Sequence, residues 1–305
     1  MEPAIAELEE RAKAAKAASR RLALLSSEVK NRALNNMAEG LKTREDLILK
    51  ANAQDMEEAR ASGMDEAMLD RLFLNPDRLA DMARGVSAVA ALSDPVGEVL
   101  EMRTLPNGLT VGRKRVPLGV IGTIYESRPN VTVDIATLCL KSGNAVILRG
   151  GREARHSNAA LADMLVEAAI EAGIPAGAVA FIDSTERALV SHMLQMKGTI
   201  DLIIPRGGEG LIRFVSETSA VPVVAGGIGV CHTFVDSSAD LDEAVAIAYN
   251  AKVQRPTVCN ALDTILVHRD VAVRFLPALA LEWARGGVEV HADPRPSRYW
   301  KGQRI

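Results

Sequence analysis

The sequence has 305 residues, 48% of them hydrophobic, enough to bury one large core or two smaller ones. Its 36 Lys and Arg against 39 Asp and Glu leave a net charge of -3, which gives no electrostatic reason to expect nucleic acid or an anionic membrane as partner. No apolar run reaches the roughly 18 residues of a membrane span, Met1 to Leu25 fits neither a secretory signal nor an acid-poor transit peptide, and three scattered cysteines without C-x-x-C or zinc spacing point to a reducing cytoplasm.

From Ile5 to about Arg60 the chain is rich in Ala, Leu, Glu and Lys and free of proline, with Leu34, Met37, Leu41 and Ile48 at helical spacing, so it should open with helices. Met56, Met64, Met68 and Leu72 read as helix core rather than as a ligand box. Between Val99 and Val116, two strand-like runs flank Pro106-Asn107-Gly108, the signature of a β-hairpin, either a surface ribbon or an oligomerisation arm. Strands and helices then alternate. Val120 to Tyr125, Ala145 to Leu148, Val179 to Ile182, Leu202 to Ile204 and Pro222 to Val224 are short apolar strands; helices fill the intervals through Lys141, from Ser157 to Ala172, through Met196 and from Leu211 to Glu217. Such a series implies a doubly wound, Rossmann-like parallel sheet covered on both faces. A second set follows: Thr233 to Val235, a helix from Leu241 to Ala251, the segment Gln254 to Asn260, Asp263 to Val267 and a helix from Val271 to Arg285. Glycines clustered from Gly226 to Gly229 mark the boundary, dividing the chain into a first domain, 1–228, carrying the hairpin arm 99–116, and a second, 229–305.

Neither G-x-G-x-x-G at a strand-to-helix turn nor G-x-x-x-x-G-K-[ST] occurs. The strand ends carry Arg149-Gly150-Gly151 and Pro205-Arg206-Gly207-Gly208 instead. Paired glycines at the C-terminal ends of parallel strands let a phosphate reach backbone N–H groups, and arginine adds fixed charge, although each pair also suits a tight βα turn. Cys259 lies in the non-periodic segment Gln254 to Asn260, where a nucleophile is accessible, whereas Cys139 falls on the apolar face of a helix and Cys231 reads as core. Asn130 stands where a strand turns into its helix, as an oxyanion donor or as a helix N-cap. No histidine falls into a catalytic or metal-binding grouping.

Read together, Ile124-Tyr-Glu-Ser-Arg-Pro-Asn-Val-Thr, Val146-Ile-Leu-Arg-Gly-Gly, Ile203-Ile-Pro-Arg-Gly-Gly-Glu-Gly-Leu-Ile and Val253-Gln-Arg-Pro-Thr-Val-Cys-Asn-Ala-Leu resemble the γ-glutamyl phosphate reductase family of the aldehyde dehydrogenase superfamily. The resemblance implies an aldehyde-dehydrogenase-like α/β fold and the NADPH-dependent reduction of L-glutamyl 5-phosphate to L-glutamate 5-semialdehyde in cytoplasmic L-proline biosynthesis. Cys259 is then the nucleophile and Asn130 an oxyanion donor. Arg149, Gly150, Gly151, Arg206, Gly207 and Gly208 would bind NADP, with Arg149 favouring the 2′-phosphate. Arg128 and Arg255 would hold the substrate's phosphate or α-carboxylate. Val224-Ala225-Gly226-Gly227 stands where oxidative relatives carry a glutamate that activates water, so a thioester should persist until hydride reaches it. Homo-oligomerisation and an association with glutamate 5-kinase belong to the same expectation. Alternatives are a dehydrogenase for another semialdehyde and a non-catalytic nucleotide-binding remnant. The remnant arises because the family normally extends well past this chain: the stretch from His291 to Ile305 has no apolar periodicity, the tail from Pro294 is expected to be disordered, and the second domain to be incomplete, with an open sheet edge near Ile265, weak turnover and a tendency to associate.

Overall fold

The computed structural model describes residues 2–226, 229–256 and 258–292. Helices α1 (Glu2–Leu22), α2 (Ser27–Thr43) and α3 (Glu45–Ala61) open the chain, and the periodic residues Leu34, Met37, Leu41 and Ile48 are all buried. Two further helices, α4 (Glu66–Leu72) and α5 (Pro76–Ala91), extend this opening beyond Arg60. Both begin at caps visible in the sequence: Asp65 accepts from the Met68 N–H, and Asn75, followed by Pro76, accepts from the Arg78 N–H. Met56 and Leu72 pack in the core, whereas Met64 and Met68 are only half-buried.

The hairpin forms as β1 (Val99–Thr104) and β2 (Thr110–Lys114), antiparallel, with a bulge near Val99 and every residue exposed. Gly108 closes its turn at φ 83°, left-handed backbone that favours glycine. Next come β3 (Val120–Tyr125), α6 (Asn130–Lys141), β4 (Ala145–Arg149), α7 (Arg155–Glu171), β5 (Val179–Phe181), α8 (Arg187–Met193), β6 (Leu202–Arg206) and α9 (Glu209–Thr218). The four strands are parallel in the order β5-β4-β3-β6. Helices α6 and α7, backed by α2 and α5, bury one face, and α1, α8 and α9 bury the other, which explains why β3 is apolar and buried along its whole length. The strand expected at Pro222 to Val224 is a single parallel bridge from Val223 to Ile203, in which the Ile203 N–H donates to the Pro222 carbonyl and the Val224 N–H to the Ile203 carbonyl.

Two compact units divide at Gly226, within the predicted glycine cluster: Met1–Gly226 and Gly227–Ile305. The second unit carries β7 (His232–Val235), α10 (Leu241–Val253), β8 (Thr264–Val267) and α11 (Arg269–Arg285). Its parallel β7-β8 pair packs on Ala248, Val271, Phe275, Leu279 and Trp283. Among the described residues β8 has β7 as its ladder partner, and the tail expected from Pro294 lies outside them.

Candidate active site

The chain runs outward from β3 through β4 to β5 and then crosses back to place β6 on the other side of β3, so the crevice beyond the C-terminal ends of β3 and β6 is a topological switch point, where open α/β sheets bind ligands. The Glu126 N–H donates to the Arg206 carbonyl at 3.1 Å, and Glu126 Oε2 accepts from the Gly208 N–H at 2.9 Å. Gly208 caps α9, so the protein's own carboxylate binds the N–H of the residue that begins that helix. Gly207 has no room for a Cβ, which would lie 2.8 Å from Leu211 Cδ2 and closer still to Glu126. A cleft of about 530 Å³ opens here, lined among others by Tyr125, Glu126, Arg149, Arg187, Leu211 and Phe214. Arg149 extends from the end of β4, its Nη2 donating to the Thr185 carbonyl at 3.0 Å. Its Nε is buried without a hydrogen-bond partner. Burial lowers the Arg149 pKa, the charge of Arg187 lowers it further, and Glu153 and Glu126 oppose the change.

Beneath this cleft runs a buried polar chain. Tyr125 Oη lies 2.7 Å from Thr132 Oγ1, and the Thr132 hydroxyl donates to Asn158 Oδ1 at 2.9 Å. Asn158 leans on Gly150, where any Cβ would collide with its Nδ2, so this glycine is set by close approach rather than by φ. Gly151 precedes a 3₁₀ turn, Arg152–Ala154, and faces the Glu153 carboxylate. Glu153 Oε1 in turn accepts from the Ser127 N–H at 2.6 Å and from its hydroxyl at 2.9 Å. Ser127 is buried at φ 47°, a strained conformation for a side chain, and this carboxylate holds it there at the entry to α6.

Asn130 is the first residue of α6, and Pro129 occupies the cap position, so the N-cap alternative is set aside: a residue already in helical conformation cannot also cap. Its Nδ2 donates to Asp134 Oδ2 at 2.9 Å, one turn along the same helix. Burial raises the Asp134 pKa, while Asn130 and the charge of Arg206 work against the rise. Arg128 is half-buried in the same entry loop.

In the second unit Cys259 is exposed in a turn, with Arg255 exposed in the same segment. Cys231 is not the core residue expected: it stops one residue short of β7, is half-buried, and its Sγ donates to the Cys259 carbonyl at 3.2 Å. Cys139, by contrast, is buried in α6, and burial pushes its thiol up to about 12. The structure therefore gathers Arg149 to Gly151, Arg206 to Gly208, Arg128 and Asn130 in the first unit, and Cys259 with Arg255 in the second. Glu126, Asp134 and Arg187 were missed; only Asp134 carried a signal, its spacing of four from Asn130. Among the described residues no group of three His, Cys, Asp or Glu could hold a metal ion.

The sequence model of the aldehyde dehydrogenase family matches residues 4–295. A gamma-glutamyl phosphate reductase of Dehalococcoides mccartyi (strain CBDB1) is 59% identical over 293 residues, which are 96% of this chain and 69% of that protein. One from Enterobacter sp. (strain 638) is 55% identical over 94% of this chain and 69% of its own length. The crystal structure of gamma-glutamyl phosphate reductase from Thermotoga maritima superposes with a TM-score of 0.90 at 45% identity, covering 98% of this chain and 72% of that one.

Proposed function

The chain belongs to the aldehyde dehydrogenase family and, within it, to the gamma-glutamyl phosphate reductases, and we propose that it reduces L-glutamyl 5-phosphate with NADPH through a thioester on Cys259, in L-proline biosynthesis. One observation carries the choice of nucleophile: of the three thiols, Cys259 alone is exposed, in a turn within Val-Cys-Asn-Ala, whereas Cys139 is buried with its pKa raised. The Cys259 thiolate attacks the acyl carbonyl, the bond to the phosphate oxygen breaks, and phosphate departs to leave the thioester. Asn130 offers a donor for the oxyanion: its amide has two N–H bonds and Asp134 engages one of them. Arg128 and Arg255 are the candidates for the substrate's phosphate and α-carboxylate.

The family binds NAD(P). The residues present fit such a group: Arg149 holds a buried donor without a partner, and at the start of α9 the Gly208 N–H already binds an anionic oxygen, that of Glu126. Arg149 to Gly151 and Arg206 to Gly208 would hold it, and the bound nicotinamide would supply hydride. A cytoplasmic setting, and self-association through the exposed hairpin residues Val99, Leu100, Met102, Leu109 and Val111, belong to the same reading; an association with glutamate 5-kinase rests on the family resemblance alone.

The test is the reverse reaction, phosphate-dependent oxidation of glutamate semialdehyde, paired with mass spectrometry of the acylated protein. Cys259→Ala should lose both turnover and the covalent adduct, and Cys231→Ala should keep them. Persistence of phosphate-dependent turnover in Cys259→Ala would rule out the nucleophile assignment.

A further inference from the structure

Arg187 begins α8 and lines the cleft that also contains Arg149. Arg149 spends Nη2 on the carbonyl of Thr185, two residues before Arg187. That bond ties its guanidinium to the loop that launches α8, so two arginines from separate strand–helix units face one space. Their charges interact unfavourably, since Arg187 depresses the Arg149 pKa in addition to the larger effect of burial.

The two carboxylates that act on Arg149, Glu153 and Glu126, each already accept hydrogen bonds from other groups. Glu153 is engaged by the Ser127 N–H and hydroxyl, and Glu126 Oε2 by the Gly208 N–H. The Arg149 Nε remains a buried donor without an acceptor, an arrangement that is unfavourable unless a ligand completes it. A cleft with two guanidiniums and an open donor is suited to a dianion with several acceptor oxygens, because planar guanidinium forks bind phosphate bidentately. The remaining walls, Ile124, Val190, Leu211 and Phe214, are apolar and suit the flat face of a purine. The phosphate recognised here is therefore one attached to an adenosine rather than free phosphate or the acyl phosphate of the substrate.

We propose that Arg187 and Arg149 together form a two-guanidinium receptor for the 2′-phosphate of the dinucleotide, making Arg187 a specificity-determining residue. The assignment rests on the NADPH reading above and deepens it. Because α8 carries Arg187 and the loop before it carries Thr185, the receptor forms only when α8 is docked on the sheet.

The experiment is calorimetric titration of the 305-residue protein with 2′,5′-ADP, 5′-AMP and inorganic phosphate, together with the ratio of KM values for NADPH and NADH. The parent protein should bind 2′,5′-ADP on the order of tenfold or more tighter than 5′-AMP. Arg187→Gln and Arg149→Gln should each remove most of that difference, and Arg187→Lys should recover part of what Arg187→Gln loses. Arg187 is exposed, so these variants should fold, and a melting curve verifies it. If Arg187→Gln keeps the full preference, the role of Arg187 is overturned and the NADPH reading stands. Equal binding of 2′,5′-ADP and 5′-AMP by the parent protein would instead overturn the NADPH reading and the receptor with it. Displacement of 2′,5′-ADP by inorganic phosphate at comparable concentration would show a receptor for free or acyl phosphate and overturn the assignment to the nucleotide.

Discussion

Gly150→Ala and Gly208→Ala look equivalent in sequence, each replacing one member of a glycine pair at the end of a strand, yet the structure separates them sharply. At Gly150 the added Cβ would collide with Asn158 Nδ2 and lie 3.3 Å from the Tyr125 ring. Asn158 cannot yield, because it is fully buried and held at 2.9 Å by Thr132, which lies 2.7 Å from the Tyr125 hydroxyl. Overpacking of this kind costs about 1–3 kcal/mol, offset by about 0.4–1 kcal/mol from the stiffer unfolded chain, so a net loss of roughly 1–2 kcal/mol is expected. At Gly208 the nearest obstacle is Glu126 Oε2 at 3.8 Å, ordinary contact, and φ −67° with ψ 166° suits any residue. Alanine is the poorer cap, but the same gain of about 0.4–1 kcal/mol from the stiffer unfolded chain offsets that loss, so stability should stay within about 0.5 kcal/mol of the parent. Urea unfolding, followed with a probe specific to the first unit, measures both. A parent-like midpoint for Gly150→Ala would refute the packing argument. So would strict additivity in the pair with Asn158→Ala, since removing the obstacle should make the double variant less unstable than the two single costs combined.

Asp94 pairs with the buried Lys30 and also accepts from the Val96 N–H and the Ser27 hydroxyl; burial works against the charge, but these bonds prevail and its pKa lies below the ordinary value of 3.8. The stability it contributes is therefore present above the ordinary carboxylate pKa and lost as pH falls through the lower folded value; Asp94→Asn should flatten that acid limb in urea titrations from about pH 7 to about pH 2 and, by stranding Lys30, cost about 3 kcal/mol or more at neutral pH. Ser127→Gly relieves the left-handed φ of 47° and Ser127→Ala does not, while both lose the hydroxyl bond to Glu153; thermal melts should rank Gly above Ala by about 1 kcal/mol, and the opposite order would show that the loop is not strained. A thiol reagent at pH 8 should modify the exposed Cys259 first, then the half-buried Cys231, and Cys139 only on unfolding, read by peptide mapping.

The parallel sheet was legible because strands buried on both faces are uniformly apolar: Val120 to Tyr125, read from sequence as a strand, has the same limits in β3. Within α4 the helical residues Met68 and Leu72 were legible from their apolar character, whereas its start at Asp65 and the whole of α5 were not, although Asp65, Asn75 and Pro76 carry cap chemistry that marks them. Pro222 to Val224 meets the sheet where expected but forms only one parallel bridge, Val223 to Ile203 of β6, because a short apolar run marks where a chain can be buried and not how many of its residues pair. Cys231 was misread because a position one residue outside a strand has the same local composition as one inside it.

Candidate site positions divide along the same line. Residues in contiguous motifs, such as Arg149-Gly150-Gly151, could be nominated from sequence because a strand followed by glycines marks a tight turn at the strand's C-terminal end. Glu126 and Arg187 could not, since their roles come from elements brought together by crossovers. Glu126 reaches Gly208 across 82 residues, a contact that exists only once β6 has paired with β3, and Arg187 faces Arg149 only when α8 covers the sheet. In isolation each is a charged residue near a turn, indistinguishable from a solvated one. The same non-locality has a physical consequence: the cleft cannot form in a partly folded first unit that has β3 and β4 but not β6. An adenine nucleotide that binds there therefore selects the fully wound sheet and stabilises it by mass action, so protection of the β6 amides against hydrogen exchange should rise with nucleotide concentration as much as that of β3.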